Sequence, residues 1–124
     1  MIGCLTIGTN DLQRAAAFYE PLLALLGAKR GAEEERYIGW AAPGAPGAPM
    51  LMVSKPFDGK AAAGGNGNMV SLVATSRAQV DAVYNKAIAL GARDEGAVGM
   101  RGDHFYGGYF RDLDGNKLAV YVMV

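Results

Sequence analysis

An internal repeat limits what this chain can fold into more than any other feature of its sequence. Ala17 to Glu20 reads Ala-Phe-Tyr-Glu, and 65 residues later Ala82 to Asn85 reads Ala-Val-Tyr-Asn. Leu26-Gly27-Ala28 recurs in the same way, 64 residues later, as Leu90-Gly91-Ala92. Each match falls near the end of a stretch whose apolar residues have helical spacing. The sequence therefore predicts two modules of the same design, one after the other.

Each half contains one predicted helix. The helices are predicted over Leu12 to Leu26 and Ala78 to Leu90, and each is followed by a glycine, which is typical of a helix C-terminus. Pro21 is expected to kink the first helix or to force a fresh start within it. The candidate N-terminal caps are Asn10 or Asp11 for the first helix and Thr75 or Ser76 for the second.

One strand-like stretch precedes each helix and three follow it. The predicted strands are Leu5 to Ile7, Ala28 to Gly31, Glu35 to Ala41 and Met50 to Val53 in the first half, and Met69 to Ala74, Ala92 to Gly96, Phe105 to Asp112 and Lys117 to Met123 in the second. Asp114-Gly115-Asn116 predicts a tight hairpin turn before the last strand. Each half is therefore predicted to be β-α-β-β-β.

The predicted organisation is a single α+β domain over residues 1–124. Module 1 covers about residues 1–56, a linker about 57–67, and module 2 about 68–124. The segment from Asp58 to Asn68 is rich in Gly, Ala and Asn, which is typical of a flexible linker. The segment from Pro43 to Pro49 is a second predicted loop, which joins two strands of the first half.

Composition excludes several classes of partner. The 12 basic and 12 acidic residues of the chain cancel, so no net positive field favours nucleic acid or an anionic membrane surface. No apolar run approaches the ~20 residues that a membrane span needs. Cys4 is the only cysteine, so no intrachain disulfide can form, and the N-terminus does not read as a signal peptide. We therefore expect a cytoplasmic protein.

Three segments of the chain closely resemble the glyoxalase/bleomycin resistance protein/extradiol dioxygenase superfamily, also called the vicinal oxygen chelate superfamily. They are Asn10 to Gly27, Gly65 to Leu72 and Phe110 to Leu118. The last contains Arg-Asp-Leu-Asp-Gly-Asn, which is the most specific of the three. The resemblance implies two βαβββ modules whose sheets form a curved, incomplete mixed β-barrel with flanking helices. It also implies that the concave face holds the ligand.

Enzymes of this superfamily place metal ligands on the first and last strands of each module. On this chain those positions fall on Cys4, Met52, Met69 and Ala119. None of the four is the His, Glu or Gln that the superfamily uses, so we expect no conventional divalent metal site and no cofactor. Cys4, Met52 and Met69 are soft ligands that suit Cu(I), although Met and Cys also fill apolar space in ordinary cores.

Two other sets of residues are candidates for function. The only histidine, His104, lies beside Asp103 in a predicted loop, where it is either a general acid–base or a residue that simply faces solvent. The second set is apolar and aromatic, and some of its members must face the concave side of a sheet because alternate residues of a strand share a face. The predicted ligand-binding residues are Tyr37, Trp40, Met52, Met69, Phe105, Tyr106 and Tyr109. Tyr106 and Tyr109 point to opposite faces unless Gly107-Gly108 forms a bulge.

Two functions of different class follow. The first is a metal-independent protein that binds a small hydrophobic or aromatic molecule and dimerises with a second copy. The second is an enzyme: either a metal-independent lyase or isomerase that uses His104 or a tyrosine, or a glyoxalase-like or dioxygenase-like member whose metal ligands lie at other positions. Resemblance in fold does not by itself decide between them.

Overall fold

The computed structural model describes residues 1–44 and 46–124. Ala45, in the predicted loop from Pro43 to Pro49, lies outside the described residues. The elements in chain order are β1 (Cys4–Gly8), α1 (Leu12–Ala24), β2 (Lys29–Glu33), β3 (Tyr37–Ala41), β4 (Met50–Ser54), β5 (Val70–Val73), α2 (Arg77–Ala89), β6 (Arg93–Arg101), β7 (Phe105–Arg111) and β8 (Lys117–Met123). They form two compact units, Met1–Gly64 and Gly65–Val124.

Each unit contains one four-stranded mixed sheet. The strand order is β1-β4-β3-β2 in the first and β5-β8-β7-β6 in the second, so the two units have the same topology. In both sheets the strand before the helix pairs in parallel with the last strand, and the other neighbours are antiparallel. The predicted α+β fold of two βαβββ modules is confirmed.

The structure selects one cap from each candidate pair. Asp11 caps α1, because its carboxylate accepts a hydrogen bond from the backbone N–H of Arg14. Ser76 caps α2 in the same way, by accepting from Gln79. Both residues have extended backbone dihedrals and satisfy an amide that has no partner within the helix.

Pro21 does not force a fresh start: α1 continues through it to Ala24. Proline removes a single backbone hydrogen bond near the end of the helix. Leu22 and Leu23, the next two residues, are 0 % and 3 % exposed, and their burial offsets that loss.

Each helix packs on one face of its own sheet. In the first unit the buried apolar side chains of the strands are those of Ile38, Trp40, Leu51 and Val53, which alternate along β3 and β4 and therefore share a face. In the second unit the corresponding residues are Phe110, Leu118 and Val120, with Val80, Val83 and Ala87 of α2. None of the helices in the described chain is long and apolar enough to cross a membrane.

The sheets depart from the predicted strands mainly at β6. This strand runs to Arg101 instead of ending at Gly96, and its pairing with β7 shifts register on both sides of Gly96. The bulge considered at Gly107-Gly108 is absent from the β7–β8 ladder, where these residues pair in unbroken register with Tyr121 and Val120. Tyr106 and Tyr109 therefore point to opposite faces.

Candidate functional site

Three aromatic rings lie together on the face of the second sheet that points away from α2. The ring of Phe105 stacks on that of Tyr121, with centroids 4.9 Å apart and an angle of 8° between planes. It is also nearly parallel to the ring of Tyr109, at 6.3 Å and 11°. All three side chains are partly exposed. We call Phe105, Tyr109 and Tyr121 the ring platform.

Gly107 makes room for this arrangement. It pairs with Tyr121 across the sheet and lies between Phe105 and Tyr109 on the same face of β7. A Cβ atom at Gly107 would lie 2.6 Å from the Phe105 ring, 3.0 Å from the Cβ of Tyr121 and 2.8 Å from the carbonyl oxygen of Val120. The Phe105 ring therefore occupies the space above residue 107, which has no side chain.

Two cations border the platform at Tyr109. The guanidinium carbon of Arg101 lies 5.4 Å from the centre of the Tyr109 ring, and the Nζ atom of Lys117 lies 5.7 Å from it. Arg101 is held in place because its Nη2 donates to the carbonyl oxygen of Ala97 at 2.7 Å. The Tyr109 end of the platform is therefore electropositive.

Tyr106 does not join the platform, because it lies on the face that packs against α2. Its hydroxyl donates to Asp81 of α2 at 2.6 Å, and the guanidinium of Arg77 lies over its ring at 5.2 Å. The hydrogen bond to Asp81, assisted by partial burial, raises the pKa of the Tyr106 phenol above its usual value. Tyr106 therefore joins helix to sheet in this structure.

The predicted residues of the first unit are divided between its two faces. Trp40 is 2 % exposed and packs under α1, where its ring contacts Tyr19 and its indole N–H donates to Glu20. Tyr37 and Met52 lie on the opposite face of this sheet, where Met52 covers Gly39. The bond from Arg30 and then the bond from Trp40 lower the pKa of Glu20.

The donor set at the four metal-ligand positions does not fit a divalent cation. Cys4 is exposed, Met52 rests on Gly39, Met69 is 45 % exposed just before β5, and Ala119 is fully buried with only a methyl group. Throughout residues 1–44 and 46–124, no group of three or more His, Cys, Asp and Glu residues is placed to hold a metal ion. Ala119 in particular supplies no donor atom to a metal ion.

His104 lies in the exposed turn between β6 and β7. Its Nδ1 is 3.1 Å from the carbonyl oxygen of Val124, and the backbone N–H of Val124 donates to the carbonyl of His104. In the described chain Asp103 makes no hydrogen bond to this ring. The structure thus places the His104 ring against the main chain of Val124.

Sequence reasoning missed three residues of this site: Tyr121, Arg101 and Lys117. Two of them carried a usable signal, since Lys117 and Tyr121 flank Ala119 at a spacing of two and so share its face. Arg101 carried none, because its position depends on the length and the bulges of β6.

The two βαβββ modules define a class of protein with a helix on one face of each sheet and aromatic or apolar side chains on the other. The sequence profile of the Glyoxalase/Bleomycin resistance protein/Dioxygenase superfamily matches residues 2–120. The chain belongs to this superfamily.

Solved structures from several bacteria are similar to this chain. A glyoxalase/bleomycin resistance protein from Albidiferax ferrireducens T118 is 32 % identical, with a TM-score of 0.89 and 98 % of each chain covered. A lactoylglutathione lyase from Agrobacterium tumefaciens is 20 % identical, with a TM-score of 0.69, covering 98 % of this chain and 92 % of its own. The latter similarity shows the fold alone. No curated protein matches the sequence.

Proposed function

We propose that this protein binds a small planar, largely apolar molecule on the ring platform. The observation that carries the proposal is the near-parallel alignment of Phe105 with both Tyr109 and Tyr121 on one sheet face. Partly exposed parallel rings offer flat surfaces to a ligand ring in offset-stacked geometry. The family is shared with bleomycin resistance proteins, which agrees with a binding role.

The support beneath the rings favours binding with little rearrangement. The three rings lie on two adjacent strands, Phe105 and Tyr109 on β7 with Gly107 between them and Tyr121 on β8. Ala119, whose methyl group is fully buried, pairs with Tyr109. Groups already held in the bound arrangement lose less conformational entropy when a ligand arrives. Tyr109 and Tyr121, which are partly exposed as whole residues, each carry a hydroxyl group that can orient the ligand.

The alternative is a glyoxalase-like lyase or isomerase, which rests on membership of the family. Its metal-free form requires a general base, whereas the Nδ1 atom of His104 lies 3.1 Å from the main-chain oxygen of Val124 and, within the described chain, Asp103 does not hydrogen-bond to the ring. Its metal-dependent form requires a metal site at other positions, because Cys4, Met52, Met69 and Ala119 do not supply the usual ligands. The same donor set supports a binding protein.

A titration with 2-naphthol as the probe, followed by changes in tyrosine fluorescence, tests the proposal. Tyr121→Ala is expected to weaken binding about two- to twelvefold, since an aromatic pair contributes about 0.5–1.5 kcal/mol. Tyr121→Phe keeps the ring and is expected to bind as the wild type does. Equal binding by the wild type and Tyr121→Ala would refute a platform site.

Two further measurements separate the binding protein from the enzyme. Stoichiometric Zn, Ni, Mn or Fe in the purified protein would show that the metal-ligand positions were wrongly assigned. Turnover of the methylglyoxal–glutathione hemithioacetal, abolished by His104→Ala, would establish the enzyme instead.

We also propose that the protein is a cytoplasmic homodimer. Edge strands β1 and β5 carry exposed apolar side chains, with Leu5 at 41 % and Val73 at 68 % exposure, and such edges are usually covered. Light scattering coupled to gel filtration measures the mass directly. A mass of about 13 kDa, that of one chain, would contradict the dimer.

A further inference from the structure

A second candidate site lies wholly within the first unit, at the end of its sheet where β4 and β1 finish. A cleft of about 550 Å³ opens between the turn after β1, the start of β3 and the segment that follows β4. Its charged lining consists of Arg36, Lys55 and Lys60, with Glu35 as the one carboxylate. This lining is cationic although the whole chain has no net charge.

Arg36 makes three contacts that orient its guanidinium at this cleft. Its Nη1 donates to the hydroxyl of Ser54 at 3.4 Å and to the carbonyl oxygen of Lys55 at 3.2 Å. Its guanidinium carbon lies 5.3 Å from the centre of the Phe57 ring. These contacts use one nitrogen of the guanidinium and leave the others to donate elsewhere, in the planar geometry that suits carboxylate and phosphate.

The far wall of the cleft is tied to the N-terminal end of α1. Asn10 donates to the carbonyl oxygen of Ala62 at 3.2 Å and accepts from the N–H of Ala62 at 2.7 Å. Asp58 accepts from the backbone N–H of Lys60 at 2.9 Å, which closes the turn. The segment predicted to be a flexible linker is therefore held by specific hydrogen bonds over its first half.

The ammonium groups of Lys55 and Lys60 form no ion pair with any carboxylate of the described chain, and both side chains are exposed. Phe57, which lies between them in sequence, is 90 % exposed. Its phenyl ring lines the same cleft as the cationic side chains of Arg36, Lys55 and Lys60. Exposed aromatic surface next to unpaired positive charge is complementary to a ligand that joins an apolar group to an anion.

We propose that this cleft binds a small organic anion, with a phosphate or carboxylate group held by Arg36, Lys55 and Lys60 and an adjoining apolar group against Phe57. The site is independent of the ring platform, because it uses only residues of the first unit. The ligand's anionic group completes the hydrogen bonding of the Arg36 guanidinium and offsets the local positive charge.

The proposal is tested by NMR titration of the ¹⁵N-labelled protein. Phenyl phosphate and benzoate are the two probes, inorganic phosphate lacks the ring, and benzyl alcohol lacks the charge. Saturable shifts of the Lys55, Gly59 and Lys60 amides are expected with at least one aromatic anion, and which one saturates first identifies the anionic group. Benzyl alcohol is expected to produce no such shifts.

Variants distinguish binding at this specific cleft from nonspecific attraction of anions to the protein surface. Lys60→Gln is expected to weaken binding about threefold, the usual scale for an exposed charge pair, whereas Lys86→Gln on α2 leaves it unchanged. Phe57→Ala is expected to remove the advantage of phenyl phosphate over inorganic phosphate. Shifts that do not saturate, or that Lys60→Gln and Lys86→Gln reduce equally, would overturn the proposal.

Discussion

The hydroxyl of Tyr84 on α2 donates a 2.7 Å hydrogen bond to Oδ1 of Asp94 on β6. Asp94 accepts at the same oxygen from the backbone N–H of Gly96, where the β6–β7 register shifts. The irregular end of β6 is thereby fastened to the helix. Burial, and then the bond to Asp94, raise the pKa of the Tyr84 phenol from 10.0 to about 12.

We predict that alkaline pH destabilises the protein partly through Tyr84. The folded state favours the neutral phenol, so this contribution to stability is fully present below pH 10 and is lost as the pH rises towards 12. Tyr84→Phe is expected to lower the free energy of unfolding by about 1 kcal/mol at pH 7 and to show a shallower decline above pH 10. Urea unfolding across this range measures both effects. Parallel profiles for the wild type and the variant would contradict this role for Tyr84.

Gly107 and Gly39 allow close packing on the sheet faces that point away from the helices. We predict that replacing each with alanine lowers the free energy of unfolding by a different amount. Gly107→Ala is expected to cost about 1–3 kcal/mol, because the added methyl would meet the main-chain carbonyl of Val120 at 2.8 Å. Gly39→Ala is expected to cost less, because it meets the thioethers of Met50 and Met52, which can rotate.

Gly3→Ala is the control for this pair, since a Cβ atom there would have no atom within 4 Å. Thermal unfolding of the three variants gives the ranking. Equal losses at Gly107 and Gly39 would mean that the sheet backbone moves as easily as a methionine side chain.

Asn10 is predicted to hold the wall of the anion cleft without serving as the helix cap. Asn10→Ala removes both hydrogen bonds to Ala62, so exchange of the Ala62 amide hydrogen is expected to accelerate about fivefold for a loss of about 1 kcal/mol. Asp11→Ala is the matched control, because it removes the cap of α1 but leaves Ala62 bonded. Hydrogen exchange followed by NMR distinguishes them, and similar acceleration in both variants would refute the distinction.

The sequence predicts the elements of this fold well because the information is local. Helical spacing, caps and terminal glycines act within a few residues, so α1 and α2 are found to within two residues of their ends. The internal repeat supports the prediction further, because the same order of elements is predicted independently in both halves. Even so, sequence leaves two cap candidates at each helix, since Asn10 is chemically as suitable as Asp11 and is used instead to bind Ala62.

The site is predicted less completely because it depends on pairing between strands. Alternation along β7 places Phe105 and Tyr109 on one face, but only the register with β8 brings Tyr121 next to Phe105. Trp40 and Tyr106 are predicted from the sequence to line the ligand site, but both lie on the sheet face that packs against a helix. The residue type of an aromatic side chain in a strand does not indicate which face of the sheet the helix covers. The cleft at Arg36 depends on loop hydrogen bonds that have no periodic signal.

The turn before β8 is organised by Asp112, and we predict that replacing this residue alone destabilises the protein. Its side chain is buried at 7 % exposure and accepts three hydrogen bonds of 2.9 Å, from the backbone N–H groups of Asp114 and Asn116 and from the amide side chain of Asn116. Asp112→Ala is expected to cost about 2–3 kcal/mol, because buried donors then lose their acceptor. Asp103→Ala, in an exposed turn, serves as the control and is expected to change stability by less than about 0.5 kcal/mol.

A reciprocal exchange tests the side-chain bond within this turn. Asp112→Asn keeps an oxygen for the two backbone donors but sets its amide nitrogen against that of Asn116, so two donors face each other. Adding Asn116→Asp restores a donor–acceptor pair with the direction reversed. The double variant is therefore expected to be more stable than Asp112→Asn alone, with a coupling of about 1 kcal/mol in a double-mutant cycle measured by urea unfolding. Additive losses would show that the Asp112–Asn116 side-chain bond contributes nothing to the turn.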